Sequence, residues 1–371
     1  MMASCCKRDL YVREKSTVRT LVPVLAVLLL LELASPVPAD SPPVLLAGSS
    51  NPGRVYLYDE GRWIPISPVL GYSVLSMVEY RGELYVGVTT GFGIRSGVGQ
   101  VWKFDGRGWS LVGDGLDHNV NALIVYKGDL YAGTSLNGMR VYRYRGGKSW
   151  ELVVDEQWYP WGWMYGGGYG TRSLAIFKGN LVIGDTFWDL IALWDGKQLY
   201  RVQPYETGSC IYDFEEYRGQ LYAAAYQGRI WVSGDGRNWE IVGDYYDGNL
   251  WEMEVYRGEL YMGYQCGELR RWRGEGNIRG ELVYQAPAPI ISMETDGKFL
   301  YFGTGGDAPG FGETPEGVAN IYRYDGREVK LVSDWDQFGS GVQVLHRVDG
   351  WKDLARLTGD AKAGESSALS R

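Results

Sequence analysis

Between residues 44 and 348 the chain runs through short apolar/polar alternations, broken by turns rich in Gly, Asp and Asn. In 100–104, Trp102 and Phe104 fall on one face and Val101 and Lys103 on the other, the period-two pattern of a half-buried strand. The alternations come in sets. YRGELYVG begins at Tyr80 and YRGELYMG at Tyr256, and looser copies start at Tyr126, Phe177 and Tyr217, with a degenerate one ending in Phe299-Leu300-Tyr301. The copies lie about 39 to 51 residues apart, a period that matches units of four strands.

Each copy predicts the same anatomy. Strand a precedes the Tyr-Arg-Gly turn, strand b follows it, strand c comes after a variable loop, and a turn built on Asp-Gly leads into strand d. Aligning strand b gives a leucine column: Leu45, Leu84, Leu130, Leu181, Leu221, Leu260 and Leu300. Three residues on, the position is always small: Gly48, Gly87, Gly133, Gly184, Ala224, Gly263 and Gly303. A residue that small lets a neighbouring sheet come close. Strand a adds an apolar column at Met77, Leu123, Leu174, Phe214, Met253, Met293 and Leu345.

The two ends are complementary. Residues 44–67 supply strands b, c and d without an a, while 342–348 supply an a with nothing after it. One unit built from both ends would close a ring and leave no open sheet edge between the termini. The expected fold is therefore all-β: a seven-bladed β-propeller of four-stranded antiparallel blades, closed by the C-terminal strand.

The c–d turns carry a family resemblance. Ser233-Gly234-Asp235-Gly236-Arg237-Asn238-Trp239 resembles the Asp-box hairpin of BNR-type propellers, and the segments around Asp105-Gly106-Arg107 and Asp325-Gly326-Arg327 resemble it more loosely. Kelch-type propellers are similar in repeat length and in Gly and Trp content. The resemblance implies a fold. The Asp-box family includes sialidases and some glucanases, but the box is a structural element away from the catalytic centre, and neither an arginine triad nor a catalytic Tyr/Glu pairing is recognisable here.

The leader changes the picture of where the chain works. Lys7, Arg8, Arg13, Lys15 and Arg19 precede an apolar run at 21–31 and then Val37-Pro38-Ala39, the layout of a secretory signal peptide cleaved after Ala39. An uncleaved signal anchor is the alternative and the one expected route to a membrane. The domains read as 1–39 leader, 40–350 propeller, and 351–371 tail, a short helix and then disorder. The expected localisation is secreted or cell-surface, and the expected state a monomer. In such a compartment Cys210 and Cys266, on the same face of adjacent blades, are candidates for a disulfide. The net charge of −8 and the lack of a Lys/Arg block argue against nucleic acid as a partner. With His118 and His346 the only histidines, a His-rich zinc site is excluded.

Candidate chemistry falls in two places. The loop 157–170 holds Trp158, Tyr159, Trp161, Trp163 and Tyr165, a density of aromatics that suits stacking on sugars or gripping apolar peptide side chains, or else plugging the channel. Arg172, Tyr212 and Trp251 join them as candidate ligand-binding residues. The second place is the axis. The positions flanking the strand-a column read Asp213/Glu215, Glu252/Glu254 and Ser292/Glu294 on three successive blades, which gathers five carboxylates. Like charges that close recruit a cation, retain protons or line a wet acidic channel; calcium is the expected cation, held by Asp213, Glu215, Glu252, Glu254 and Glu294. The sequence thus favours an extracellular propeller that binds a glycan or protein. A glycoside hydrolase or lyase using the axial carboxylates, and a scaffold of the cell envelope, are the other readings.

Overall fold

The computed structural model describes residues 43–91, 96–156, 170–186, 190–202, 210–243, 248–306, 319–334 and 337–349. The leader, the tail and the aromatic stretch 157–169 lie outside these residues, and so do the expectations placed on them. Among the described residues the regular structure is strand throughout, apart from one 3-10 turn at Tyr226–Gly228.

Five antiparallel sheets each run a-b-c-d in chain order. They are β8–β11 (Asn119–Tyr126, Asp129–Ser135, Met139–Gly146, Ser149–Glu156), β12–β15 (Thr171–Phe177, Asn180–Asp185, Ile191–Trp194, Leu199–Arg201) and β16–β19 (Ile211–Tyr217, Gln220–Ala225, Ile230–Ser233, Glu240–Gly243). The other two are β20–β23 (Leu250–Tyr256, Glu259–Tyr264, Glu268–Trp272, Glu281–Gln285) and β24–β27 (Ile290–Thr295, Leu300–Thr304, Ile321–Tyr324, Val329–Leu331).

The remaining sheet has eight strands. The N-terminal β1–β3 (Val44–Gly53, Val55–Asp59, Arg62–Pro65) join β4–β7 (Gly71–Tyr80, Glu83–Thr89, Gly99–Phe104, Trp109–Asp114) through one pairing, Gly53 with Gly71. The C-terminal β28 (Gly341–Val348) pairs antiparallel with β1, Val44 opposite Val348 and Leu46 opposite His346. The expected exchange of strands between the ends is present. The chain is a multi-bladed β-propeller-like assembly of four-stranded units.

The core is distributed between units. Leu46, Val55 and Leu57 of the N-terminal unit pack with Val74, Met77, Leu84 and Val86 of the next. The last unit packs on the first in the same way, with Tyr301 and Ile321 against Leu45, Tyr56, Trp63 and Leu345. The inner strands β4, β8, β12, β16, β20 and β24 touch in that order, and β28 touches both β24 and β4.

The repeated Tyr-Arg/Lys-Gly turn is a latch between units. Its tyrosine donates to the next unit's a–b turn: Tyr126 to Gly179 O at 3.0 Å, Tyr256 to Lys298 O at 2.7 Å. The basic residue lies over that ring, as Lys127 does over Tyr126 and Arg218 over Tyr217, and reaches the next c–d turn, Lys127 to Asp195 O and Arg218 to Arg273 O, both at 2.8 Å. The hairpin at Ser233–Trp239 is built as its residues require. Asp235 accepts the amides of Arg237 and Asn238, Ser233 accepts that of Gly236, and the Asp235 carboxyl is held below the usual range. Asp195, not singled out in the sequence, closes the same kind of turn on Lys197 and Gln198.

Candidate functional site

The inner strands are not simple alternating strands. Each skips one residue in its pairing with strand b, at Leu75, Asn121, Arg172, Tyr212, Trp251, Ile291 and Gln343. The cause is legible in the apolar spacing. Ile211 and Phe214 share one core cluster, as do Leu250 with Met253 and Ile290 with Met293. Three residues apart, they would face opposite ways on a regular strand. One extra residue, a bulge, brings both to the same side.

The extra residues of four successive inner strands meet. The rings of Tyr212 and Trp251 lie 4.4 Å apart, Ile291 packs with them, and the Arg172 guanidinium lies 5.9 Å from each ring centroid. That is within range of a cation–π attraction. Arg172, Tyr212 and Trp251 are therefore one cluster. Tyr212 and Trp251 are only 8% and 5% exposed, so the rings pack on each other and do not stand free as an open platform. Trp158, Tyr159, Trp161, Trp163 and Tyr165 lie outside the described residues.

The axial carboxylates follow this cluster along the inner strands, and three of them stitch neighbouring units together. Asp213 Oδ2 accepts the Met253 amide at 2.9 Å and Glu215 Oε1 that of Val255 at 3.1 Å. Glu294 takes two amides, Arg347 and Thr295, each at 3.0 Å. Serines at equivalent positions donate instead: Ser173 to Ile211 O and Ser292 to Val342 O. Among the described residues, Glu252 and Glu254 receive no such amide.

Each of the five carboxylate residues is half-buried. Burial and mutual repulsion hold their protons. Asp213 is pushed up to about 6, chiefly by burial and against the pull of Arg172. Burial, with Asp213 adding, raises Glu215 to about 8. Glu294 rises to about 7, again by burial first. Glu252 and Glu254 stand well above the carboxylate range, from burial and then from Asp213 and Glu294 respectively. His346, in the same column on β28, is driven down to about 4 by burial, and among the described residues its Nε2 has no hydrogen-bond partner.

Two expectations are corrected. Among the described residues no group of three or more His, Cys, Asp or Glu is placed to hold a metal ion, so the calcium ligand set of Asp213, Glu215, Glu252, Glu254 and Glu294 is not formed. The physical reason is that amide bonds draw Asp213, Glu215 and Glu294 along the wall toward the next strand, away from a common point. Cys210 and Cys266 are thiols, half-buried and exposed. Cys210 packs beside Tyr212 and Trp251, whereas Cys266 sits in a b–c turn whose carbonyl takes the side chain of Gln285, so the expected disulfide is not made.

No family model and no curated protein matches the chain. Solved structures do match in fold. A protein provisionally described as a 6-phosphogluconolactonase, from Bacteroides fragilis NCTC 9343, is 10% identical with a TM-score of 0.57, over 85% of this chain and 100% of that one. YCF48 bound to D1 peptide is 16% identical with a TM-score of 0.51, over 71% of this chain and 85% of that one. At such identities the likeness is one of fold: the chain is a β-propeller-like protein distantly similar to YCF48-type propellers.

Proposed function

We propose that the chain is an exported seven-bladed propeller that binds a glycan or protein ligand on the face carrying its d–a and b–c loops, where the axial passage opens. The observation that carries this reading is the cluster of Arg172, Tyr212 and Trp251 at the head of the carboxylate wall. It joins two packed aromatic rings, a guanidinium that makes no ion pair among the described residues, and acidic groups, the mixture that recognition sites favour. The fold suits such a role, since YCF48, a propeller of similar fold, is seen bound to a peptide. The strand exchange between β1 and β28 and the inner-strand contacts that run from β24 through β28 to β4 support the seven-bladed reading.

The test is capture by the exported chain on a glycan array and in a crosslinking pull-down, for wild type and for Arg172→Ala. Arg172→Ala is expected to weaken capture with melting nearly unchanged. Capture unaffected by that substitution rejects the mouth as the site. Turnover of chromogenic glycosides, lost in Glu215→Gln, would replace binding with the hydrolase reading.

A further inference from the structure

We infer that the axial wall receives a cationic, N–H-bearing group of the ligand, an ammonium or guanidinium of the kind that ends a lysine or arginine side chain. This rests on the binding reading above and names the chemistry of the group that enters.

The first support is what the wall offers. Asp213, Glu215, Glu252, Glu254 and Glu294 are acceptors once ionised. His346 adds another observation of a different kind. It flanks Leu345 on β28 as Glu294 flanks Met293 on the neighbouring β24, so it belongs to the same axial column. Its Nε2 is buried without a partner among the described residues, and the ring stays neutral at pH 7 because burial lowers its pKa to about 4. A buried imidazole nitrogen left unsatisfied is costly unless something bonds to it. With its proton on Nδ1 the ring offers Nε2 as one more acceptor in this column, and a donor able to serve several acceptors at once is a multi-proton cation.

The second support is the poverty of counter-charge. Arg172 tempers Asp213 and Glu252 while lying over two rings. Arg347 tempers Glu254 and Glu294, but its Nε is bonded to Asp349. Neither is given to the wall alone. A bare metal ion fits worse, since hard cations need oxygens converging at about 2.3–2.6 Å, and no such group is formed among the described residues. An ammonium or guanidinium tolerates acceptors spread along a passage. Its entry would displace protons that the carboxyls hold near neutrality, which gives the proposal a signature no structural role shares.

The experiment titrates the protein at pH 7 with N-acetyl-lysine methylamide, the norleucine analogue, tetramethylammonium and calcium, at matched ionic strength. Calorimetry in two buffers of different ionisation heat counts protons released. The lysine probe is expected to bind with proton release and to raise the melting temperature. The norleucine probe and tetramethylammonium, which lacks N–H donors, are expected to do neither. Glu252→Gln combined with Glu254→Gln should weaken the lysine probe about tenfold or more, the scale of losing a charge-assisted hydrogen bond. Both substitutions relieve repulsion, so the variant should fold, and Glu215→Gln serves as a second variant. Equal effects of tetramethylammonium, binding without proton release, an undiminished response in both variants, or a response to calcium alone would each overturn the inference. If Arg172→Ala abolishes capture while the wall variants leave every cation response unchanged, the mouth reading stands and this inference falls by itself.

Discussion

The small-residue column shows at single positions how the sheets are spaced. A Cβ built on Gly263 would stand 2.6 Å from Ile290 Cγ2 of the next unit, and one on Gly87 would stand 2.7 Å from Val120 Cγ1. The facing residue is β-branched at Val74, Val120, Thr171, Ile211, Ile290 and Val342. The exception faces the exception: Ala224, the only non-glycine of the column, packs with Leu250, whose branch lies one carbon further out. Gly263→Ala is therefore expected to destabilise by about 1–3 kcal/mol, the usual range for overpacking. Adding Ile290→Leu should recover part of it. Denaturant unfolding of the two single variants and the double measures the coupling; strictly additive effects would mean that the pair does not set the spacing. The latch residues carry a cost of the same kind. Arg81, Lys127, Lys178, Arg218 and Arg257 all sit at positive φ, where Asn or Gly would be the easier choice. Stacking on the preceding ring and, for all but Arg81, the bond to the next unit offset it.

At the scale of strands, the sequence was most legible where one residue type repeats. The leucine and glycine columns, the Tyr-Arg-Gly turn and the missing strand a of the first unit located β1 to β5 and β28 to within a few residues. The bulges escape a period-two pattern, because one inserted residue barely disturbs so short an alternation. Their trace lay in the spacing, since Ile211 and Phe214 cannot share a core without them. That omission hid the meeting of Ile291 with Tyr212 and Trp251. The amide bonds to Asp213, Glu215 and Glu294 were equally hidden, because they depend on the height of one strand against the next. The strand exchange carries its own prediction. Deleting β28, Gly341–Val348, strips β1 of its inner partner and removes Val342 and Leu345 from the core shared with Tyr301 and Ile321. Unfolding of that truncation should begin at a lower temperature and lose cooperativity, as expected when two adjacent units open together. An unchanged calorimetric transition would reject the proposed closure.

The whole molecule couples its axis to pH, and the sign follows from where protons sit. In the unfolded chain the five wall carboxyls titrate near their ordinary values of about 4. In the folded chain Asp213 holds its proton to about 6, Glu294 to about 7 and Glu215 to about 8, with Glu252 and Glu254 raised as well. The folded state thus binds more protons between these limits, and stability must fall as pH rises through that window. His346 opposes the trend only in part. Its folded pKa of about 4 lies below the ordinary 6.5, so its contribution grows with pH up to that value and is constant above it. The turn carboxyls Asp105, Asp195, Asp235 and Asp325 are held low, and their contribution is lost only as pH falls below the ordinary range. From about pH 6.5 to 8 the wall therefore acts without opposition from these groups. Denaturation midpoints should decline across that interval, and Glu215→Gln combined with Glu254→Gln should flatten the decline and raise the midpoint at its alkaline end. A wild-type midpoint that holds level or rises from pH 6.5 to 8 would mean that the carboxyls are already neutralised by something inside the passage. Repeating the measurement after exhaustive dialysis at high salt would then show whether that something is a retained cationic guest.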